Sequence, residues 1–139
     1  MTYVFIHGLG QTSSSWDKVI AHLPADIQVY RPCLSALVKD KQITYENLYR
    51  AFENECNCME MPLCLCGISL GAILVLQYTL NNPQKVKALM LIAPQYKMPG
   101  LLLDIQNIVF RILPQVAFGS MGFSKRDTIA LTTSMKKID

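Results

Sequence analysis

Four short apolar runs, separated by segments with helical periodicity, limit the fold of this chain more than any other feature. The runs cover residues 3–7, 27–30, 63–66 and 86–93. Continuous apolar runs of this length are typical of strands that are buried on both faces of a parallel sheet. Because strands and helices alternate, the crossovers should place helices on both faces. The sequence therefore predicts the α/β class, with a parallel sheet of about four strands.

Helical spacing is clear in the segments that connect these runs. One face of the first predicted helix carries Trp16, Val19, Ile20 and Leu23. One face of the second carries Tyr45, Leu48, Tyr49, Phe52 and Cys56. Ser14 or Ser15 should cap the first of these helices and Thr44 the second. Residues 72–80 are apolar around most of the circumference, which predicts a buried helix. Residues 33–43 predict a loop.

The pattern changes after Pro94. Residues 101–118 are strongly apolar but are interrupted by charged residues and by Pro114, which argues against a membrane span. A lid helix over a pocket fits this segment best, and a helix at a membrane interface is the alternative. Residues 124–137 predict a further helix with one polar face. The chain therefore divides into an α/β core, residues 1–94, and a helical cap, residues 95–139.

Composition and charge exclude several classes of protein. Hydrophobic residues make up 51% of the chain and charged residues 17%, which is typical of a globular protein and not of a disordered one. The net charge is only +3 and the basic residues are scattered, so no nucleic-acid partner is expected. Met1 leads almost directly into the first apolar run, without the features of a signal peptide. We therefore expect a cytoplasmic protein.

The cysteines could suggest a metal site. The chain has five, and four of them form two C-x-C pairs, Cys56 with Cys58 and Cys64 with Cys66. Zinc sites usually have the C-x-x-C spacing, which is absent, and Cys64 and Cys66 fall within an apolar run. Reduced cysteines that pack in the core are therefore the preferred interpretation, with no metal.

One motif carries the candidate chemistry. Gly67-Ile68-Ser69-Leu70-Gly71 follows an apolar run and opens an apolar helix, which is the context that a G-x-S-x-G nucleophile turn requires. A serine hydroxyl that attacks a substrate must stand clear of the backbone, and a sharp turn exposes it. The two glycines relieve the crowding that such a turn creates. A glycine-rich turn with an ordinary capping serine remains the alternative.

A second motif ends the first apolar run. His7-Gly8-Leu9-Gly10 lies about sixty residues before Ser69, at the end of a predicted neighbouring strand. Acyl transfer needs two main-chain N–H donors that bind the oxyanion of the intermediate. The Leu70 N–H, directly after the serine, could be one of them, and the Leu9 N–H could be the other.

Together, these motifs resemble the α/β-hydrolase superfamily, which combines H-G-x-G with G-x-S-x-G. The segment Val86-Lys87-Ala88-Leu89-Met90-Leu91-Ile92-Ala93-Pro94 also resembles the strand that follows the nucleophile helix in that family. The resemblance implies that Ser69 is the nucleophile, with Leu9 and Leu70 as the oxyanion donors. It implies that His7 supports the oxyanion loop and is not the base. The implied substrate is a small acyl compound, with no cofactor.

The chain also departs from the family pattern. The family takes its triad acid and histidine from strands after the nucleophile. Here both histidines, His7 and His22, precede Ser69, and none of the later aspartates, Asp104, Asp127 and Asp139, ends a predicted strand. The resemblance therefore implies a chain that lacks the triad acid and the base and is weak or inactive alone. The run at residues 86–93 should then form an open sheet edge, through which the chain self-associates.

These observations leave three alternative functions. The first is a serine hydrolase that cleaves an ester, thioester or related bond. The second is a non-catalytic hydrolase-fold fragment that binds a ligand or a partner. The third is a cofactor-free lyase or peroxidase on the same fold, since a fold does not determine a function.

Overall fold

The structure is a computed structural model that describes residues 1–94, 100–119 and 122–135. Within these residues, four strands form one sheet: β1 (Thr2–Ile6), β2 (Gln28–Tyr30), β3 (Leu63–Ile68) and β4 (Val86–Ile92). Every pairing is parallel, and the strand order is β2-β1-β3-β4. The predicted α/β class and the parallel sheet of four strands are confirmed.

In the residues that the structure describes, six α-helices connect and follow the strands. They are α1 (Asp17–Ile20), α2 (Leu34–Leu37), α3 (Tyr45–Asn57), α4 (Leu70–Asn81), α5 (Gly100–Ile112) and α6 (Lys125–Met135). Short 3₁₀ turns cover Ser13–Trp16, Pro83–Lys85 and Gln115–Phe118. In the described parts of the chain, no helix has both the length and the apolar character needed to cross a membrane.

The main core lies between one face of the sheet and helices α3 and α4. Val4, Ile6 and Leu65 from the sheet are buried together with Phe52 of α3 and Leu74 of α4. The predicted apolar stripe of α3 is confirmed, because all its members are buried. Thr44 caps this helix as predicted, since its hydroxyl accepts a hydrogen bond from the Asn47 N–H at 3.2 Å.

The opposite face of the sheet has a smaller cover. Phe5 and Cys66 are buried there with Trp16, and the rings of Phe5 and Trp16 are 5.1 Å apart. The helix predicted over residues 16–23 is only partly present, because α1 is a single turn. Val19 is therefore exposed instead of buried, and the residue before the first 3₁₀ turn is Thr12 and not Ser14 or Ser15. This cluster includes residues of β1, β2 and β3 but none of β4.

Strand β4 differs from its prediction as a strand buried on both faces. Leu89 and Leu91 pack against the main core, but Met90 is 60% exposed and Ile92 39% exposed. Among the described residues, β4 pairs only with β3 and forms one edge of the sheet. The apolar pattern therefore predicted the strand correctly but overstated its burial.

Helices α5 and α6 pack against each other, and α6 also contacts α3. The Thr132 hydroxyl donates a hydrogen bond to the Asn107 side chain at 2.5 Å, which joins α6 to α5. The Lys125 ammonium donates to the Arg111 carbonyl at 2.7 Å and so satisfies the C-terminal end of α5. Helical structure thus occurs in both segments where it was predicted, while the boundary at residue 94 stays a prediction.

Candidate active site

Ser69 occupies the turn between β3 and α4. Ile68 is the last residue of the strand and Leu70 the first residue of the helix. The Ser69 backbone has φ 52° and ψ −113°, a conformation that costs a non-glycine residue about 1–3 kcal/mol. The Ser69 N–H donates to the Ile92 carbonyl at 3.0 Å, and the Ser69 carbonyl accepts from the Ile73 N–H at 3.2 Å. The surrounding hydrogen bonds therefore hold this strained residue in place.

The glycines on either side of Ser69 have no space for a side chain. A Cβ atom on Gly67 would lie 2.4 Å from the Gly71 carbonyl oxygen. A Cβ atom on Gly71 would lie 2.4 Å from the Ile6 carbonyl oxygen. Both distances are well below van der Waals contact. The start of α4 thus packs directly against the end of β1, as the G-x-S-x-G motif requires.

The residues after β1 form a tight turn beside Ser69. In the Gly8–Gln11 turn, the Gln11 N–H donates to the Gly8 carbonyl at 3.2 Å, and Gly10 has φ 79°. This positive φ at the third position is typical of a type II turn. A Cβ atom on Gly8 would lie 3.2 Å from the Ser69 Cβ, so the Gly8–Gln11 turn is in direct contact with the serine.

The two predicted oxyanion donors lie on these two turns. Leu9 is inside the Gly8–Gln11 turn, and its N–H has no hydrogen-bond partner in the described parts of the chain. Leu70 opens α4 and so carries one of the N–H groups that a helix leaves without an intrahelical partner. The free Leu9 N–H on the Gly8–Gln11 turn therefore lies in the neighbourhood of the N-terminus of α4.

His7 is fully buried and uses both ring nitrogens. Its Nδ1–H donates to the Gly8 carbonyl at 2.9 Å, and its Nε2 accepts from the Leu34 N–H at 3.0 Å. The tautomer is fixed because the Leu34 N–H can only donate. Burial lowers the pKa of His7, and the hydrogen bond to the Gly8 carbonyl partly opposes this shift. A neutral imidazole engaged on both sides has no free nitrogen with which to accept a proton from Ser69.

Helix α2 corrects the prediction of a loop over residues 33–43. Its first residue, Leu34, provides the N–H that His7 accepts. The first N–H groups of a helix have no partner within the helix, so a buried imidazole is a suitable acceptor. A helix of four residues is too short to give a periodic signal in the sequence.

The other candidate acid and base residues lie elsewhere. His22 is exposed and its Nδ1 hydrogen-bonds to the Lys18 carbonyl at 2.7 Å. Asp104 is exposed on α5, and Asp127 lines a cleft that Ser69 does not reach. Asp139 lies outside the described residues. Within the described ranges, the Ser69 hydroxyl makes no hydrogen bond to another side chain.

The cleft that Asp127 lines has a volume of about 480 Å³. It lies between α2 and α6, and its polar lining residues are Ser35, Lys39, Lys41 and Asp127. Phe123 forms part of its apolar wall. The cleft is therefore separate from the turn that carries Ser69.

The cysteines are free thiols in the structure. Cys66 is buried in β3, and burial raises the pKa of its thiol, so it stays protonated and does not compete with Ser69 as a nucleophile. Cys56 is buried in α3. Across the described residues, no three His, Cys, Asp or Glu side chains cluster closely enough to bind a metal ion.

Gln11 is a site residue that the sequence did not predict. Its side-chain Oε1 accepts a hydrogen bond from the Gly8 N–H at 2.8 Å. A Cβ atom on Gly122 would lie 2.8 Å from the Gln11 carbonyl oxygen, so the segment before α6 packs against the same turn. No short motif marks a glutamine in this role, and only the fold brings residue 122 to residue 11.

The sequence profile of the family described as "Serine aminopeptidase, S33" matches residues 26–139, which is most of the chain. The chain belongs to this α/β-hydrolase family. A search of curated proteins gives no significant match.

Solved structures of other α/β-hydrolases share the fold. A hydrolase from Pseudomonas aeruginosa aligns with a TM-score of 0.73 and 14% identity over 99% of this chain and 64% of its own. The monoacylglycerol lipase of Paleococcus ferrophilus aligns with a TM-score of 0.57 and 20% identity over 92% of this chain and 65% of its own.

An extracellular α/β-hydrolase from a Paenibacillus species aligns with a TM-score of 0.56 and 23% identity, over 66% of this chain and 39% of its own. This α/β-hydrolase chain therefore spans about two fifths of the Paenibacillus protein and just under two thirds of the other two.

Proposed function

We propose that this chain is the nucleophile-bearing part of a serine hydrolase that acts on a small acyl substrate. The bond cleaved is an ester, a thioester or a related bond. The observation that carries the proposal is the strained backbone of Ser69, at φ 52°, in contact with the Gly8–Gln11 turn. Strain of this kind costs free energy and is found mostly where function requires it.

The proposed reaction begins when the Ser69 Oγ bonds to the acyl carbon of the substrate. The carbonyl oxygen becomes an oxyanion, which the N–H groups of Leu9 and Leu70 bind. The oxyanion then collapses and the bond to the leaving group breaks, which leaves an acyl group on Ser69. Water releases the acyl group as an acid in a second step of the same kind.

The proton of Ser69 must pass to a base and then to the leaving group. His7 does not take this role, because both its nitrogens are hydrogen-bonded to the main chain. His22 is exposed and hydrogen-bonded to the Lys18 carbonyl, and the sequence has no further histidine. We therefore propose that the histidine base and its acid partner are supplied from outside this chain, and that this chain alone is weak or inactive. Without its base, a triad serine typically loses on the order of 10⁴ to 10⁶ in rate.

The proposal is tested with a fluorophosphonate probe and with p-nitrophenyl acetate. We expect slow covalent labelling that peptide mapping places on Ser69, together with weak hydrolysis. Both should be lost in Ser69→Ala. The matched control is Ser15→Ala, because Ser15 is exposed and outside the site. Hydrolysis or labelling that persists unchanged in Ser69→Ala would show that Ser69 is not the nucleophile.

A non-catalytic binding protein is the second candidate. The observation that favours it is that the Ser69 hydroxyl has no side-chain partner in the described ranges. A chain that binds an acyl compound by calorimetry but never labels with the fluorophosphonate probe would support this candidate over the hydrolase.

Helix α5 suggests how a substrate could arrive. Its outward face is formed by Ile105, Ile108, Val109 and Ile112, each of them exposed and spaced as one helical stripe. We propose that α5 is a lid that contacts apolar surfaces such as a lipid interface.

The free thiols favour a reducing compartment, so we propose a cytoplasmic location.

A further inference from the structure

Gln11 binds both main-chain polar groups of Gly8. Its N–H donates to the Gly8 carbonyl at 3.2 Å, and its side-chain Oε1 accepts from the Gly8 N–H at 2.8 Å. The orientation of the side-chain amide is determined by chemistry, because the Gly8 N–H requires an acceptor. Gln11 therefore closes the Gly8–Gln11 turn with both its main-chain N–H and its side-chain Oε1.

The two hydrogen bonds between Gln11 and Gly8 lie next to Ser69. Gly8 separates Gln11 from the serine, because the space that a Gly8 side chain would fill is bounded by the Gln11 Oε1 at 3.1 Å and by the Ser69 Cβ at 3.2 Å. Leu9 follows Gly8 in the chain, so the position of its N–H depends on how Gly8 is oriented. Glycine itself has many accessible conformations. The His7 Nδ1–H also holds the Gly8 carbonyl, at 2.9 Å, so the distinct contribution of the Gln11 side chain is to hold the Gly8 N–H.

The segment before α6 supports Gln11 from the outer side. At Gly122, a Cβ atom would lie 2.8 Å from the Gln11 carbonyl oxygen and 3.6 Å from the Cys33 Sγ. Phe123, the next residue, is buried in the main core and anchors this contact. The turn is thus held between the serine on one side and residue 122 on the other.

We infer that Gln11 is a positioning residue, which orients Gly8 so that the Leu9 N–H faces the carbonyl attacked by Ser69. The inference rests on the proposed function. Displacing a catalytic group by about 1 Å can cost roughly 100-fold in rate. Gln11 should therefore affect the rate of attack on a bound acyl or phosphonyl group, and not the affinity for the group itself.

The first measurement is amide hydrogen exchange by NMR, which needs no activity. Gln11→Met keeps the length of the side chain but removes the acceptor, so the Gly8 amide should exchange at least tenfold faster. Gln11→Glu keeps an acceptor at the same place and should restore the protection. Gln84→Met, on an exposed residue far along the chain, is the matched control. Unchanged exchange at Gly8 in Gln11→Met would overturn the inference.

The second measurement is the saturation kinetics of Ser69 phosphonylation. We expect Gln11→Met to lower the maximal rate constant by roughly tenfold to 100-fold, with the half-saturating probe concentration changed by less than about twofold. A general loosening of the fold would lower the thermal midpoint and change both constants. Faster exchange at Gly8 with an unchanged maximal rate would also overturn the inference.

A second variant perturbs Gln11 without changing its side chain. Gly122→Ala pushes against the Gln11 carbonyl and should reproduce both effects in milder form. Gly119→Ala is its control, because a Cβ atom there meets only the Val116 carbonyl oxygen, at 3.3 Å. If the parent chain does not label at Ser69, the proposed function fails, while the Gly8 exchange still decides whether Gln11 holds the turn.

Discussion

The His7 imidazole accepts a hydrogen bond through Nε2 from the main-chain N–H of Leu34, at 3.0 Å. This contact joins the end of β1 to the start of α2 and leaves the ring buried and neutral. The Nδ1–H of the same ring holds the Gly8 carbonyl at 2.9 Å. His7 therefore stabilises the base of the turn that touches Ser69, and its protonation would disrupt this arrangement.

Acid should destabilise the fold through His7. Burial lowers the pKa of His7 below its ordinary value of 6.5, so the unfolded chain takes up a proton that the folded chain does not. The stability contributed by neutral His7 is complete above pH 6.5 and is lost as the pH falls toward the lowered pKa. For a single titrating group the loss cannot exceed about 1.4 kcal/mol per pH unit in this window. Urea unfolding at several pH values measures it.

The controls for this prediction compare how steeply the unfolding free energy depends on pH, and not its absolute value. His7→Gln can still accept from the Leu34 N–H but does not titrate, so the dependence of its unfolding free energy on pH should be flatter. His22→Asn changes an exposed histidine and should keep the parent slope. An equal slope in the parent and in His7→Gln would contradict a neutral, buried His7.

Replacing Ser69 should reveal the strain at the turn. Ser69→Gly removes the Cβ that disfavours φ 52°, whereas Ser69→Ala keeps it. We expect Ser69→Gly to be more stable than Ser69→Ala by about 1 kcal/mol, after the greater flexibility of glycine in the unfolded chain is included. Chemical denaturation measures the difference. A less stable Ser69→Gly would show that the turn is not strained.

Much of the core could be predicted because its signals are local. The apolar runs predicted all four strands from β1 to β4, and the stripe from Tyr45 to Cys56 predicted α3. The exposed face of β4 could not be predicted, because an apolar run reports the character of its side chains and not what covers them. Val19 was mispredicted for a related reason, since the chain leaves α1 after one turn.

The site shows the same division between local and long-range signals. The turn at Ser69 could be located because G-x-S-x-G combines its glycines with the flanking strand and helix. Leu34 and Gln11 could not be recognised, because their roles depend on hydrogen bonds to His7 and Gly8. Such contacts follow from the way the elements pack, and a single sequence carries little trace of them.

The apolar face of α5 should bind a lipid interface. Ile108→Asn combined with Ile112→Asn places two polar side chains in the exposed stripe and should reduce flotation with phosphatidylcholine vesicles at least threefold. Each exposed aliphatic residue that inserts contributes about 1 kcal/mol or more. Val19→Asn is the control, because Val19 is an isolated exposed residue on α1. Equal flotation of the parent and the double variant would contradict a lipid contact through α5.

Strand β4 should mediate self-association of the chain. Its face toward solvent presents Met90 at 60% exposure and Ile92 at 39%, and its outer edge is unpaired among the described residues. An unpaired apolar edge readily binds another strand, and a charge on such an edge prevents the pairing.

We therefore expect concentration-dependent oligomers in analytical ultracentrifugation and a shift to monomer in Met90→Lys. Leu80→Lys is the matched control, because Leu80 is 66% exposed on α4 and is not part of the sheet. If Leu80→Lys dissociates the oligomers as well as Met90→Lys does, the association is a general effect of apolar surface. If the parent chain stays monomeric at all concentrations, β4 does not pair with a second copy.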